Sequence, residues 1–103
     1  MDSHRVRPEV AAPAMTLAGI RFDNNFYDRD VDVLYLHVGD PKTAVDWDGT
    51  AEGDGTSYGS DGSLVGLTIL NARLRLEQDG KIVLTLPEQR VEATDLGDVL
   101  AAA

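Results

Sequence analysis

The segment at residues 57–72 limits the fold most strongly, because it joins a tight turn to the most apolar run in the chain. The Asp61-Gly62 pair supplies the positive backbone dihedral that hairpin turns need. After the turn, apolar residues alternate through residues 64–70 with the period of two that is typical of a β-strand. We therefore expect this strand near the centre of a sheet, with the other strands paired around it.

A second strand is predicted at residues 33–38, which are rich in β-branched and aromatic residues and carry apolar residues on both sides. A strand that is apolar on both sides indicates a sheet covered on one face and partly covered on the other. The first face would carry Leu34, Leu36 and Val38, and the second Val33, Tyr35 and His37.

The fold class we predict is mainly β: a small antiparallel β-meander of five or six strands with a short C-terminal helix. Residues 1–14 are expected to be a flexible N-terminal leader, and residues 15–103 a single β-rich domain. The glycine-rich residues 48–56 are interpreted as a loop.

Two further elements are predicted beyond the apolar strand. Residues 73–86 have the pattern of a second hairpin around an Asp-Gly turn, and residues 96–102 that of a short helix. Together they would form an extra hairpin and helix within residues 74–103.

Composition excludes several classes of protein. The formal net charge is -9, and residues 22–62 hold nine Asp and one Glu against two basic residues. This balance argues against direct binding to nucleic acid, which depends on Lys and Arg. There is no cysteine and no apolar run of the length that a membrane span needs, so we expect a cytoplasmic protein without a membrane partner.

Asp28, Asp30 and Asp32 are the candidate metal ligands, because they have the opening spacing of an EF-hand calcium loop. The rest of that loop is missing, since Val33 replaces its glycine and Gly39 its bidentate glutamate. The favoured interpretation is turn chemistry, in which Asp side chains accept hydrogen bonds from backbone amides. We therefore predict neither a metal nor a cofactor.

No catalytic residues are predicted. His37 is the only histidine within the expected domain, and no cysteine accompanies it. A nucleophile, a base and an orienting group are therefore not found together. We expect a protein that is not an enzyme.

The candidate partner-binding residues are aromatic side chains and the carboxylates beside them. Trp47 lies between Asp46 and Asp48, and Tyr35 lies on the second face of its strand. We expect Trp47 to be partly buried, as tryptophan usually is. An exposed Trp47 between carboxylates would instead be a hot spot for a basic partner.

Two separated motifs resemble the family called domain of unknown function 2283 (DUF2283, YuzE-like). The first is Tyr-Asp at 27–28, followed by Asp32 and Leu-Tyr at 34–35; the second is Asp61-Gly62 to Ala72. The resemblance covers about residues 26–73. It implies a small β-rich fold without an established activity. Family members resemble companions of small toxin-like proteins in bacteria, which suggests an antitoxin-type role.

The functional hypothesis is a small acidic, non-enzymatic interaction module, with an antitoxin-like binder of a small basic protein as its leading form. The alternatives are a calcium- or metal-binding β module and a small hydrolase. A two-fold homodimer is also predicted, because the second face of the sheet would otherwise leave an apolar patch in water. Its contact would bury Val33, Tyr35, Leu64 and Leu70. The alternative is a monomer whose N-terminal arm, residues 10–17, folds over the same face.

Overall fold

The computed structural model describes residues 9–87, 89–94, 96 and 100, and this part of the chain is rich in strands. The strands are β1 (Glu9–Ala12), β2 (Met15–Leu17), β3 (Ile20–Phe22), β4 (Asn25–Asp28), β5 (Val33–His37), β6 (Asp46–Gly49), β7 (Gly55–Tyr58), β8 (Leu64–Leu70), β9 (Ile82–Thr85) and β10 (Arg90–Ala93). The helix α1 spans Ala72–Asp79, and a short 3-10 turn spans Pro41–Thr43.

Six strands form one antiparallel sheet in the spatial order β1, β4, β5, β8, β7, β6. The mainly antiparallel β fold predicted from the sequence is confirmed, and β5 and β8 lie side by side at its centre. The neighbour of β5 is β8 rather than β6, so the order is not sequential throughout. The hairpins β2–β3 and β9–β10 form two small sheets of their own.

The core lies on one face of the six-stranded sheet. Leu34 pairs with Ile69 and Leu36 with Leu67, and all four side chains are almost completely buried. Each contributes about 1.5–3 kcal/mol of hydrophobic stabilisation. The two small hairpins, α1 and the C-terminal part of the chain cover this face through Leu17, Phe22, Ala72, Ile82, Leu84, Leu86, Ala93, Leu96 and Leu100.

The segment that follows β8 is a helix, although the sequence predicted a hairpin over residues 73–86. That prediction is wrong, because Asn71 takes a left-handed conformation with φ of 55° and α1 begins directly after it. Ala72 and Leu76, one helical turn apart, pack against the core, whereas Leu74 is exposed. Leu74 and Leu76 therefore lie on different sides of a helix and not on one face of a strand.

The Asp-Gly pair at residues 79–80 ends this helix instead of turning a hairpin. Gly80 has a φ of 72°, and its amide donates a hydrogen bond to the carbonyl of Leu76, as in a glycine C-cap. The extra hairpin lies further along the chain, as β9–β10. The helix predicted over residues 96–102 falls mainly outside the described residues. Of its positions, Leu96 and Leu100 are described, and both are buried.

Two segments expected to be unpaired contain strands. Glu9–Ala12, within the expected leader, pairs with β4, while residues 1–8 lie outside the described part of the chain. In the glycine-rich segment, β6 extends to Gly49 and β7 begins at Gly55, so only residues 50–54 connect them. Pairing with a neighbouring strand outweighs the weak strand preference of glycine.

Among the residues that the structure describes, none of the helical segments has the length and apolar character of a membrane span.

A buried ion pair fixes this short connection to the helix. Asp54 is 2% exposed, and its carboxylate accepts hydrogen bonds from the guanidinium of Arg75 at 2.7 and 3.1 Å. It also accepts one from the amide of Leu70 at 3.0 Å. Arg75 donates in addition to the carbonyls of Leu70 and Val83. The loop, the end of β8, α1 and β9 therefore meet at one fully paired carboxylate.

We expect Arg75→Met to lower the free energy of unfolding by about 3 kcal/mol, because Asp54 would remain buried without its charged partner. The matched control is Lys81→Met, which breaks the exposed pair between Lys81 and Glu92 and should cost less than about 1 kcal/mol. Urea unfolding measures both. Equal losses in the two variants would contradict the role given to the buried pair.

Candidate functional site

The two sequence motifs meet at one carboxylate, that of Asp32. It accepts hydrogen bonds from the amides of Arg73 and Leu74, at 2.7 and 3.0 Å, in the first turn of α1. It also accepts one from the hydroxyl of Tyr27 on β4 at 2.7 Å. The first amides of a helix lack partners within the helix, so Asp32 acts as a capping residue from a distant part of the chain. Its backbone carbonyl accepts a further bond from the amide of Ala72.

The local electrostatics keep Asp32 charged and Tyr27 neutral. Burial by itself raises the pKa of Asp32, but the hydrogen bonds from the Arg73 amide, Tyr27 and the Leu74 amide outweigh it and hold this pKa below its ordinary value. Burial and the hydrogen bond to Asp32 raise the pKa of Tyr27 to about 12. The guanidinium of Arg73 lies 5.4 Å from the centre of the Tyr27 ring, a cation–π distance.

The candidate metal ligands do not converge. Asp32 is directed to the helix, while Asp28 accepts a hydrogen bond from the amide of Asp30 at 3.0 Å. Asp30 itself is exposed in the turn. Over the described residues, no three His, Asp or Glu side chains are close enough together to hold a metal ion. In this turn, Asp28 and Asp32 bond backbone amides, which is the turn chemistry favoured from the sequence.

We expect Asp32→Asn to lower the free energy of unfolding at pH 7 by about 2 kcal/mol, because the helix loses a charged cap. Asp30→Asn, an exposed change in the same turn, should alter the free energy of unfolding by no more than about 0.5 kcal/mol. The folded-state pKa of Asp32 is depressed, so its contribution is present above pH about 4 and is lost as pH falls through the folded value. The free energies of unfolding of the two variants should therefore become similar in acid. Urea unfolding at pH 7 and pH 3 measures this, and a constant difference would count against it.

The predicted partner-binding residues on β6 lie on opposite faces of the strand. Asp46 and Asp48 pair with Tyr58 and Thr56, on the core side of the sheet, whereas Trp47 lies on the other side. Trp47 is 67% exposed, so the expected partial burial is wrong. The physical reason is position: β6 is the outermost strand of the sheet, and the Trp47 ring is not among the side chains packed against the core.

The outer edge of β6 is closed to another strand. The amides of Trp47 and Gly49 donate hydrogen bonds to the carboxylates of Asp46 and Asp48, at 3.0 and 2.8 Å. The carboxylate of each aspartate thus accepts the hydrogen bond that the next amide would otherwise offer to another strand. Charged side chains placed in this way prevent edge-to-edge pairing between sheets. A partner that docks at β6 must therefore use side chains rather than backbone pairing.

We call the side of the six-stranded sheet away from the core the open face, because no core-cluster residue that the structure describes belongs to it. Phe26 and Leu70 are 37% and 42% exposed there. Tyr35 and Trp47 are on the same face, but β7 and β8 separate their strands by about 14 Å. The open face consists of Phe26, Val33, Tyr35, His37, Trp47, Ser57, Gly66, Thr68 and Leu70.

Sequence reasoning did not place Phe26 and Thr68 beside Tyr35. Phe26 and Thr68 both pair with Tyr35, on either side of it. The alternation of residue types predicts which neighbours share a face within one strand. The register between strands, which brings these two beside Tyr35, is not contained in that pattern.

The middle of the open face has no room for a side chain at Gly66. A side chain at Gly66 would collide with the hydroxyl of Ser57 and come within 3.0 Å of His37. The half-buried His37 has its Nδ1 buried without a hydrogen-bond partner in the described chain. Burial lowers the pKa of His37 despite an opposing hydrogen bond with Asn24, so the ring is neutral at pH 7. This geometry gives His37 no carboxylate at Nδ1 for hydrolase chemistry.

The fold and this arrangement define a small antiparallel β protein with one covered and one open sheet face. A family model described as "Protein of unknown function (DUF2283)" matches residues 26–73. The match over this segment supports the DUF2283 family, as the two motifs predicted. It runs from β4 to the first turn of α1 and contains Tyr27, Asp32 and Arg73. No curated protein and no solved structure matches the chain.

Proposed function

We propose that the protein is a non-enzymatic interaction module that binds a small basic protein through the open face, with Trp47 as the anchor. The observation that carries the proposal is the 67% exposure of Trp47 at the margin of a sheet face on which Phe26 and Leu70 are exposed as well. Tryptophan is enriched among the residues that dominate binding energy at protein interfaces. Exposed apolar patches on small proteins commonly mark such interfaces.

Charge supports a basic partner. The chain carries a formal net charge of -9. Two exposed carboxylates, those of Asp46 and Asp48, are next to the anchor in sequence, on the opposite face of β6. Asp28 is paired with Val33 of the open face, on β4, towards the edge of the sheet opposite to β6. Charges around an apolar contact steer a partner of opposite sign and speed its association. A partner rich in Lys and Arg fits this distribution better than an acidic or neutral one.

The specific form we favour is antitoxin-like: the module would cover a small basic protein and block its activity. The family resemblance suggested this role, and the net charge of -9 is compatible with it. The absence of cysteine suits a reducing compartment, so we place the module in the cytoplasm. Within this proposal the chain has no catalytic role and requires no cofactor.

The test uses the small basic product of a neighbouring gene, or a basic protein captured from the native host and then purified. We expect Trp47→Ser to weaken its binding at least about 30-fold, the effect of losing a hot-spot residue. Leu74→Ser is the matched control, because Leu74 is 47% exposed on α1, which packs on the core side of the sheet. Calorimetry gives both affinities. Equal binding by the two variants, or binding that does not weaken with salt, would contradict the proposal.

A second copy of the chain is the competing occupant of the open face, since Phe26, Tyr35 and Leu70 would become buried in a two-fold contact. One residue of the predicted dimer contact does not belong to it. The register between β7 and β8 shifts between Ser57 and Tyr58, and Leu64 packs against the core instead. The contact therefore rests on the other three predicted residues and on Phe26.

If the homodimer forms, light scattering at micromolar concentration should give a mass near twice 11.1 kDa. Leu70→Asp should return it to the monomer mass, because a carboxylate in an apolar contact is costly. Leu74→Asp is the control, as Leu74 is 47% exposed on α1, away from the open face. A mass near 11.1 kDa for the unmodified chain at moderate salt would rule the dimer out and leave the open face to the basic partner.

A further inference from the structure

A cavity lies on the core side of β6 and β7, opposite the open face. Its volume is about 270 Å³, and it opens to solvent between these strands and the chain that follows β9. A second cavity, of about 280 Å³, adjoins it. Tyr58, Leu86 and Pro87 line both cavities and form the boundary between them. Neither cavity belongs to the surface that carries Trp47.

One wall of the first cavity contains a buried polar group that lacks a partner. Thr56 is 4% exposed, and its Oγ1 has no hydrogen-bond partner in the described structure. A buried hydroxyl without a hydrogen bond costs about 1–3 kcal/mol. Thr56 lies directly opposite Asp48 in the β6–β7 pair, so both side chains are on the cavity side of the sheet. A ligand that donates a hydrogen bond here would satisfy the hydroxyl and meet a carboxylate at the same time.

The lining indicates the chemistry of that ligand. Asp48 supplies a carboxylate, and the described residues that line either cavity include no basic side chain. Leu86 and Pro87 offer apolar surface, and the ring of Tyr58 stands between the two cavities. A cationic head on an aliphatic stem matches this combination, because the stem packs on apolar surface while the head pairs with a carboxylate or an aromatic ring.

The opening of the cavity is held in place by the loop that precedes β7. The carboxylate of Glu52 accepts hydrogen bonds from the amide and the hydroxyl of Thr85, at 2.9 and 2.6 Å. Thr85 lines the cavity, so this contact ties the end of β9 to the β6–β7 hairpin. Asp54, at the other end of the loop, is fixed by Arg75. The cavity is therefore preorganised rather than dependent on a movable side chain.

We infer that this cavity receives a Lys or Arg side chain of the basic partner, with the cation at Asp48 and Thr56 and the stem on Leu86 and Pro87. The inference rests on the proposed function and names a second contact of the same partner. Trp47 and the cavity lie on opposite faces of one edge strand. A partner that reaches around β6 would contact the tryptophan on one side and insert its cation on the other.

The test uses a short blocked peptide, acetyl-Gly-Arg-Gly-amide, and its neutral counterpart with citrulline in place of arginine. In amide NMR spectra we expect saturable shifts at Thr56, Tyr58 and Thr85 with the arginine peptide only. Asp48→Asn should weaken binding about fivefold, the upper range for an exposed ion pair. Absence of shifts, or equal shifts with the citrulline peptide, would overturn the inference.

Thr56→Val provides the sharper variant, because it exchanges a hydroxyl for a methyl group of similar size. We expect it to lower the affinity for the arginine peptide about tenfold, because a hydrogen bond to a charged donor is lost. Its melting temperature should stay the same or rise, since the hydroxyl has no partner to lose. Unchanged affinity would contradict the inference. A marked fall in melting temperature would also contradict it, because the hydroxyl would then serve the fold.

Trp47→Ser separates this inference from the proposed function. This variant should bind the basic protein more weakly and bind the arginine peptide with unchanged affinity. If the peptide fails to bind while the protein depends on Trp47, the inference falls and the proposed function stands. If the peptide binds at Thr56 while the protein binds Trp47→Ser normally, the proposed function falls and the cavity remains a cation site.

Discussion

The hydrogen bonds of the Asp32 carboxylate are the interaction on which most of the fold depends. They connect Tyr27 on β4 to the first amides of α1, and so join the beginning of the family segment to its end. Because α1 lies across the core face, this contact also positions the elements that follow it. The capping role explains Asp32, the last aspartate of the acidic spacing that resembles a calcium loop, because a charged oxygen acceptor is stabilising at a helix N-terminus.

A second carboxylate fixes the other half of the sheet. Asp54 is held by Arg75 and by the amide of Leu70, so the connection between β6 and β7 is anchored to α1. This anchor determines where the edge strand β6 ends and therefore where Trp47 and Asp48 are displayed. The glycines of the loop allow it to be short, and the buried ion pair gives it one conformation.

The edge strand β6 gives the molecule two different binding surfaces. Alternation along a strand places Trp47 on the open face and Asp48 on the cavity side. The outer amides of the same strand are already bonded to the carboxylates of Asp46 and Asp48. Recognition at this edge therefore depends on side chains, which favours a specific partner over sheet extension and aggregation.

The sequence by itself determined the antiparallel β class, the two central strands and the faces of β5, because a period of two is a local property of the chain. It also revealed the DUF2283 motifs at residues 26–73. Only the tertiary structure decided that residues 72–79 are helical, since the carboxylate that caps them lies about 40 positions earlier in the chain. It likewise decided the exposure of Trp47 and the pairing of Asp48 with Thr56. Both follow from strand order and register, which depend on packing between distant segments rather than on local sequence.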